Sequence, residues 1–258
     1  MELEYSYQEL MAIVFARDMR DGEIGACGGA AGVPMAAMRL AQEMHAPDLI
    51  IAGDGLCNTK MPTLSFLPIS EDMSVEAIED FYDIFELSDG RGIDFWFNSG
   101  IQTDKYGNIN LHAIGTDPYH PKFRGPGVGN ISLSSTAHRG FYNYPVVQNK
   151  RNFVEKVDFI TVPGNIDGPD GRKRAGLNTP GPILVVTPLA VMDFDPNTGR
   201  MRLKSVHPGR AVDEVAQSTG FELIMPEHVP TTPPPTKAEL EILRNKVDLA
   251  GYLRKGGI

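Results

Sequence analysis

The chain has 258 residues, of which 41% are hydrophobic and 22% are charged, a composition typical of a globular α/β protein with one large or two small domains. Its formal net charge of −9 argues against nucleic acid as the main partner, because a phosphate backbone needs a basic face. Two cysteines, Cys27 and Cys57, are too few for a disulfide framework and suit a reducing cytoplasm. The acidic start has no apolar signal core, and no stretch is long enough to span a bilayer. We therefore expect a soluble, cytoplasmic protein.

The N-terminal part of the chain predicts two helices that alternate with two strands. Apolar residues at helical spacing indicate an amphipathic helix over residues 8–18, and residues 23–27 follow as a strand. Pro34 opens the next helix, because proline in the first turn costs no hydrogen bond, and this helix runs to residue 44. Residues 49–52 form the next strand. The order strand, helix, strand favours a parallel sheet.

Three glycines, Gly28, Gly29 and Gly32, stand between the first predicted strand and the second helix. They lack the full Gly-x-Gly-x-x-Gly spacing, and no acidic residue ends the next strand, where a dinucleotide ribose would need one. We interpret them as glycines that let the helix pack closely on the sheet.

The rest of the chain predicts further strands and helices. Acidic residues over 70–87 indicate a partly helical, solvated face, and residues 102–114 a hairpin with its turn at 105–108. The other predicted strands are 93–97, the end of 150–161, 183–187 as a central strand, a hairpin of 191–194 with 201–204, and 221–224. The other predicted helices are 212–218 and 237–247. We place residues 1–229 in one domain, on which a proline-rich connector and C-terminal helix, residues 230–258, pack.

Residues 122–130 hold three glycines in five positions, with Lys122 and Arg124 beside them. Such a backbone reaches positive φ angles and comes close to a ligand. Its consecutive N–H groups can bind an anion or a developing oxyanion. The residues alone leave two interpretations open, namely a surface turn between strands and a loop that stabilises an oxyanion.

Several short sequence motifs, which occur in the same order as in the family between residues 8 and 225, resemble the β-type subunit of the class I CoA-transferases, closest to the glutaconate type. They are residues 45–49, 104–110, 125–130, 150–158, 205–209 and 219–222. The resemblance implies an α/β fold with an open, mostly parallel sheet flanked by helices, the NagB/RpiA-like fold of this family. It also implies an α-type partner in an α2β2 assembly, with an active site at the subunit interface. Coenzyme A would enter as part of the acyl-CoA substrate, with no covalently bound cofactor.

The same resemblance implies a nucleophilic glutamate just after the second strand, where desolvation would make its carboxylate reactive. Residues 53–55 read Gly-Asp-Gly there, and no glutamate lies between residues 43 and 71. Three hypotheses compete. In the first, Asp54 is the nucleophile, although its side chain is one methylene shorter. In the second, Asp54 or Cys57 serves another reaction, as in decarboxylases similar to this family. In the third, the partner supplies the carboxylate, as in similar enzymes that open a cyclic β-keto ring. As structural alternatives, Asp54 caps a turn and Cys57 is a small half-buried residue.

We predict the β-type subunit of an acyl-CoA enzyme that is a ring-opening or carbon–carbon-cleaving hydrolase acting on a bulky cyclic substrate. The alternatives are CoA transfer of the glutaconate type, decarboxylation, and a non-catalytic subunit that completes the partner's pocket. A sugar-phosphate isomerase, which shares the general sheet topology, is a further alternative.

The resemblance implies that a backbone N–H group of the glycine loop donates a hydrogen bond to the oxyanion of the thioester. The predicted catalytic residues, with His138 as a general acid or base, are Asp54, Gly127, Gly129, Asn130 and His138. The predicted substrate-binding residues are Cys57, Arg124, Val128, Arg139 and Tyr142. The candidates for binding the CoA phosphates are Lys122, Arg172, Lys173 and Arg174. His112 and His207 lack metal-ligand spacing with any cysteine or carboxylate, so we predict no metal.

Overall fold

The structure is a computed structural model that describes residues 4–29, 31–53, 56–58, 64, 74–78, 80–90, 92–115, 117, 119–127 and 135–255. The chain divides into two compact units, Met1–Phe97 with Pro234–Ile258, and Asn98–Pro233. The domain boundary placed at residue 229 stays a prediction.

The helices and strands follow one another along the chain in a mixed α/β order. They are α1 (Tyr7–Asp18), β1 (Ile24–Ala26), α2 (Gly32–Met44), β2 (Ile50–Gly53), β3 (Leu56–Cys57), β4 (Ala77–Ile78), α3 (Phe81–Asp89), β5 (Phe95–Asn98), β6 (Gln102–Asp104), β7 (Ile109–Asn110), β8 (Ala113–Ile114), β9 (Phe123–Arg124), β10 (Gly140–Asn143), β11 (Phe153–Val154), α4 (Gly171–Arg174), β12 (Pro182–Val186), β13 (Ala190–Phe194), β14 (Met201–Val206), α5 (Val212–Gln217) and α6 (Lys237–Ile242). A π-helical turn, Leu243–Val247, continues α6.

In the first unit the strand order is β5-β1-β2-β3-β4. Strand β1 pairs in parallel with β2 and with β5, so the predicted βαβ beginning is confirmed. Strands β3 and β4 add to the edge in antiparallel fashion. Because parallel strands end at the same edge of a sheet, the carboxyl ends of β1 and β2 lie side by side, which is where α/β proteins bind ligands.

The interpretation of Gly28 and Gly32 as packing glycines is wrong. A Cβ atom on Gly28 would meet no described atom within 4 Å, and one on Gly32 would approach only Leu253, at 3.9 Å. The close approach occurs at Gly25 instead, where a Cβ would overlap the ring of Phe95 on the neighbouring strand. Glycine is therefore required at Gly25 inside β1, whereas Gly28 and Gly32 have room for a Cβ atom among the described residues.

The C-terminal helix α6 and the π-helical turn after it pack against α2, and two ion pairs join them to α1. Arg17 of α1 contacts Glu239 at 2.7 Å, and Arg244 contacts the fully buried Glu9 of α1 at 2.8 Å. Each glutamate also closes the capping box at the start of its own helix. The same carboxylate therefore satisfies a helix terminus and ties that helix to its neighbour.

In the second unit, the strand order β14-β13-β12-β10 combines a parallel β10–β12 pair with two antiparallel pairs. The predicted hairpin of 191–194 with 201–204 is confirmed by β13 and β14. The hairpin predicted within 102–114 is confirmed by β6 and β7, which with β11 form a three-stranded sheet. Strands β8 and β9 pair separately.

Two predicted strands of the second unit are wrong. At the end of residues 150–161 no strand forms, because the backbone groups of Thr161 and Val162 pair, among the described residues, only with Ile109 of a short strand. Residues 221–224 make only one isolated bridge, between Ile224 and Arg202. In residues 221–224 the alternation reflects burial of Phe221 and Leu223, whereas Phe159 and Ile160 are exposed. In both places the backbone has too short a neighbouring strand to pair with.

Candidate active site

The hairpin of β6 and β7 is built around two buried polar residues, Asp104 and Asn108. The Asp104 carboxylate accepts hydrogen bonds from the backbone N–H groups of Tyr106 (3.0 Å) and Asn108 (3.1 Å), and from the Asn108 side chain. The Asn108 amide oxygen accepts from the backbone of Gly164 (2.9 Å) and Ile166 (3.2 Å). Burial raises the pKa of the Asp104 carboxyl, although its hydrogen bonds oppose that shift. Through Asn108, the turn between β6 and β7 thus holds the loop at residues 164–166 in place.

Asn110, at the end of the same hairpin, directs the chain into its next segment. Its amide oxygen accepts from the backbone N–H groups of His112 (2.9 Å) and Ala113 (3.2 Å). Its amide nitrogen donates to the Ala113 carbonyl and to Gln102, both at 2.7 Å. Asn110 is fully buried, so one side chain fixes the backbone on both sides of His112.

The first glycines of the predicted loop pack against this segment. The N–H of Gly125 donates to the His112 carbonyl (2.7 Å), and that of Gly127 donates to the Leu111 carbonyl (2.9 Å). A Cβ on Gly125 would overlap the Leu111 carbonyl oxygen, and Gly127 has a φ of 74°, in the left-handed region. Because its N–H is already bonded, Gly127 contributes its shape to the site and not an oxyanion donor.

Four predicted site residues lie outside the described part of the chain, namely Asp54, Val128, Gly129 and Asn130. Their roles stay predictions.

His112, which the sequence reasoning did not place among the site residues, lies against the first glycines of the loop. Its half-buried ring stacks on Phe159, with centroids 4.7 Å apart and planes 30° apart, and its Nε2 lies 3.5 Å from a guanidinium nitrogen of Arg124. The sequence feature that could have indicated His112 is its position two residues after Asn110, just beyond the motif at residues 104–110 that resembles the family. Sequence spacing alone could not place it against the glycines.

The side chains of residues 138–142 differ in their exposure to solvent. His138 is exposed, whereas Tyr142 of β10 is fully buried. The Arg139 guanidinium lies over the Tyr142 ring, 5.3 Å from its centroid, and donates a hydrogen bond to the Tyr142 hydroxyl. Any contact of this pair with a substrate would therefore be made by Arg139.

Arg172, expected among the phosphate-binding residues, is buried and is bonded within its own region. Its guanidinium donates to the carbonyl groups of Thr179 (2.9 Å), Pro163 (2.6 Å), Gly164 (3.2 Å) and Ser135 (3.4 Å). Burial lowers its pKa to about 10. The side chain supports this region from within, so we propose no phosphate contact for it.

The other predicted phosphate ligands are exposed. Lys122 and Arg124 flank Phe123 of β9, and Lys173 and Arg174 lie on the outer side of α4, where Arg174 pairs with Asp167. An exposed cation on a loop can meet an anion but shows no preference for one. These four assignments stay predictions.

In the first unit, Cys57 is half-buried in β3, where it pairs with Ala52 of β2. The next residue, Asn58, has a φ of 53°, which is uncommon for a residue with a side chain. Its N–H donates to the Ile51 carbonyl (2.6 Å), and its side chain accepts from Gln42 of α2 (2.7 Å). The strained backbone beside Cys57 is thus held by the preceding helix and strand.

Among the described residues, no group of three or more His, Cys, Asp or Glu side chains could hold a metal ion. None of the helices in the described ranges combines the length and the apolar character needed to cross a membrane.

The sequence matches the coenzyme A transferase family over residues 8–218. The chain is 33% identical to the β subunit of 3-oxoadipate CoA-transferase from Pseudomonas knackmussii over 246 residues, which cover 93% of this chain and 92% of the relative. It is 30% identical to the β subunit of glutaconate CoA-transferase from Acidaminococcus fermentans, with coverages of 95% and 93%. It is also 29% identical to the cholesterol ring-cleaving hydrolase IpdB subunit of Rhodococcus jostii, with coverages of 84% and 83%.

Two solved structures share the fold. Glutaconate coenzyme A-transferase from Acidaminococcus fermentans superimposes with a TM-score of 0.84 at 28% identity, with 97% of each chain covered. The decarboxylase AibA/AibB superimposes with a TM-score of 0.82 at 25% identity, with 98% of this chain and 99% of the other covered.

The open α/β sheet and the match over most of the chain define the class of protein as an enzyme of the CoA-transferase type. This chain belongs to the coenzyme A transferase family, and it is similar to the β-type chains of that family over nearly its full length. The predicted family, β-type chain and fold class are therefore confirmed. The relatives include transferases, a ring-cleaving hydrolase and a decarboxylase, so the family alone does not choose the reaction.

Proposed function

We propose that this chain is the β-type subunit of a heteromeric enzyme that opens a cyclic β-keto acyl-CoA by hydrolytic cleavage of a carbon–carbon bond. The observation that carries the proposal is the absence of a glutamate between residues 43 and 71, where CoA transfer would need its nucleophile. Asp54 stands in that turn with a side chain one methylene shorter. The similarity to a ring-cleaving hydrolase subunit supports the same reading.

In this reaction, water adds to the ring ketone, and the bond from that carbon to the α carbon of the thioester breaks. The electron pair moves onto the thioester oxygen as an enolate, and a proton is then returned to the α carbon. Water is thereby divided between a new carboxyl group and a new C–H bond. We assign the N–H groups of Gly129 and Asn130 to that enolate oxygen. Loss of one such donor lowers kcat by about two to three powers of ten.

The other site residues receive roles from their burial and charge. The exposed His138 is proposed as a proton donor or acceptor, and a carboxylate of the α-type partner as the base that activates water. Arg139 and Val128 are proposed to cover the acyl group, and Cys57 keeps its predicted role in substrate binding. The exposed Lys122, Lys173 and Arg174 are proposed for the CoA phosphates, because an ionised phosphate binds best to charged donors.

CoA transfer is the second candidate, and the higher identities to two transferase subunits favour it. It would require Asp54 to attack the thioester in place of a glutamate. The anhydride and the CoA thioester would then form on the aspartate.

The test is to purify the chain together with its α-type partner and to incubate the complex with a cyclic β-keto acyl-CoA in heavy-oxygen water. Ring opening predicts that the product gains the mass of one labelled water, keeps its CoA thioester and forms without an acceptor acid. Movement of CoA to an added carboxylic acid, abolished by Asp54→Asn and unchanged by the exposed control Asp48→Asn, would establish transfer instead. Loss of carbon dioxide would identify a decarboxylase. Full activity of this chain without a partner would contradict the heteromeric enzyme.

A further inference from the structure

We propose that His112 is a further catalytic residue, whose Nδ1–H donates a hydrogen bond to the acyl oxygen at the glycine loop. The inference rests on the proposed function, because the acyl oxygen is that of the thioester. It starts from the finding that the N–H groups of Gly125 and Gly127 already donate to backbone carbonyls. Neither glycine therefore offers a free N–H to the acyl oxygen, and a side-chain donor on this side of the loop would add to the proposed donors Gly129 and Asn130.

The contacts of His112 determine which ring nitrogen carries the proton. A guanidinium has only donors, so Nε2, 3.5 Å from Arg124, is the acceptor of that contact. A neutral imidazole with Nε2 as acceptor carries its proton on Nδ1. The stacked ring of Phe159 fixes the plane in which this N–H lies.

The Nδ1 side of the ring faces Gly127. A Cβ added to Gly127 would lie 3.6 Å from Nδ1, and no residue in the described ranges hydrogen-bonds to this nitrogen. Gly127 thus places no side chain against Nδ1. A half-buried donor beside a loop assigned to an oxyanion is placed as preorganised electrostatic stabilisation requires.

A purely structural role for His112 makes a different prediction. If the ring only fills space against Phe159, then substitutions of similar size would have similar effects. If Nδ1–H acts on the substrate, the position of the replacement donor decides the outcome. The amide nitrogen of asparagine falls near the position of Nδ1, and that of glutamine falls near Nε2.

The experiment compares H112N and H112Q in the complex with the α-type partner, with acyl-CoA turnover as the readout and Phe159→Leu as a packing control. We expect H112Q to lower kcat about 100-fold with a nearly unchanged KM, and H112N to stay within about 10-fold of the wild type. Equal losses in the two variants, or no loss in H112Q, would overturn the inference.

A second measurement does not depend on turnover. Nitrogen-15 spectra of the histidine-labelled chain, with the His112 signal assigned by its loss in H112N, should show a neutral ring protonated on Nδ1. Arg124→Met should shift this ring toward the Nε2–H tautomer, and a wild-type ring protonated on Nε2 would overturn the inference. A complex without any acyl-CoA turnover would overturn the proposed function, and with it the role of His112. Normal turnover with equal loss in both variants would overturn the inference alone.

Discussion

Two histidines of the second unit lie in networks of opposite kind. His207 is buried, its Nε2–H donates to the Thr187 carbonyl (2.8 Å), and its Nδ1 accepts from the Thr232 hydroxyl (3.0 Å), which itself accepts from Ser205 (2.6 Å). Burial lowers the pKa of His207 to about 4. Among the described residues, the half-buried His112 has a hydrogen-bonding contact only at Nε2, and we infer that its proton lies on the other nitrogen.

The difference separates a structural histidine from a candidate catalytic one. When the protein satisfies both ring nitrogens, the ring has nothing left to offer a ligand. When the protein uses one nitrogen and a glycine without a side chain faces the other, the ring is oriented but can still donate to a ligand. Three predictions test this contrast, from the largest expected effect to the smallest.

The largest effect is expected at Asn110, which fixes the backbone around His112. Asn110→Ala would leave two backbone N–H groups and a carbonyl without their buried partner. We expect a loss of about 4 kcal/mol in the free energy of unfolding, and a matching loss of turnover. Urea denaturation followed by circular dichroism measures the stability, with the exposed Asn197→Ala as the control. A loss as small as that of the control would show that His112 is held in another way.

The second effect concerns pH and His207. The unfolded chain takes up a proton at this histidine below pH 6.5, whereas the folded chain takes it up only near pH 4. The stability due to the neutral ring is therefore complete above pH 6.5 and is lost as the pH falls toward 4. We expect this loss to amount to about 3 kcal/mol.

Carboxylates also titrate in this range, so the measurement is the difference between the wild type and His207→Gln in urea denaturation at several pH values. The variant should be less stable at neutral pH and should lose less stability on acidification. Parallel curves for the two proteins would contradict the assignment of a neutral, buried His207.

The smallest effect on stability is expected at the glycine that faces His112. Gly127→Ala and the control Gly176→Ala both place a Cβ on a left-handed backbone, with φ values of 74° and 78°. Each should lose about 1 kcal/mol of stability. Only Gly127→Ala brings a methyl group to 3.6 Å from Nδ1, so only this variant should lower turnover, by about 10-fold. Similar turnover of the two variants would remove the contrast between the histidines.

Much of the fold could be predicted from the sequence, because burial patterns and turn residues act locally. The βαβ start, the hairpin at β6 and β7, and the hairpin at Asp195 all follow from apolar periodicity and turn chemistry. Residues 157–161 and 221–224 were predicted wrongly, because a strand also needs a partner of sufficient length. The glycines after β1 were misread because only the folded chain shows which backbone a neighbouring side chain covers.

The candidate site was predicted only in part. The glycine loop and its neighbouring cations were singled out from composition, and the choice between a surface turn and an oxyanion loop came from the family resemblance. Arg172 was grouped with its basic neighbours, and the structure directs it inward, because carbonyl groups from three separate segments surround its guanidinium. His112 was set aside for lack of metal-ligand spacing, a criterion that says nothing about hydrogen bonds between distant segments.

By itself, the sequence determined the family, the alternation of helices and strands, and the lack of a glutamate in the turn after the second strand. Each of these depends on residues that are close together along the chain. Only the tertiary structure decided that the N–H of Gly127 is already bonded, that Arg172 is internal, and that His112 and His207 meet different hydrogen-bond partners. The physical reason is that hydrogen bonds to a side chain come from whichever segments fold against it, and no local pattern records which segments those are.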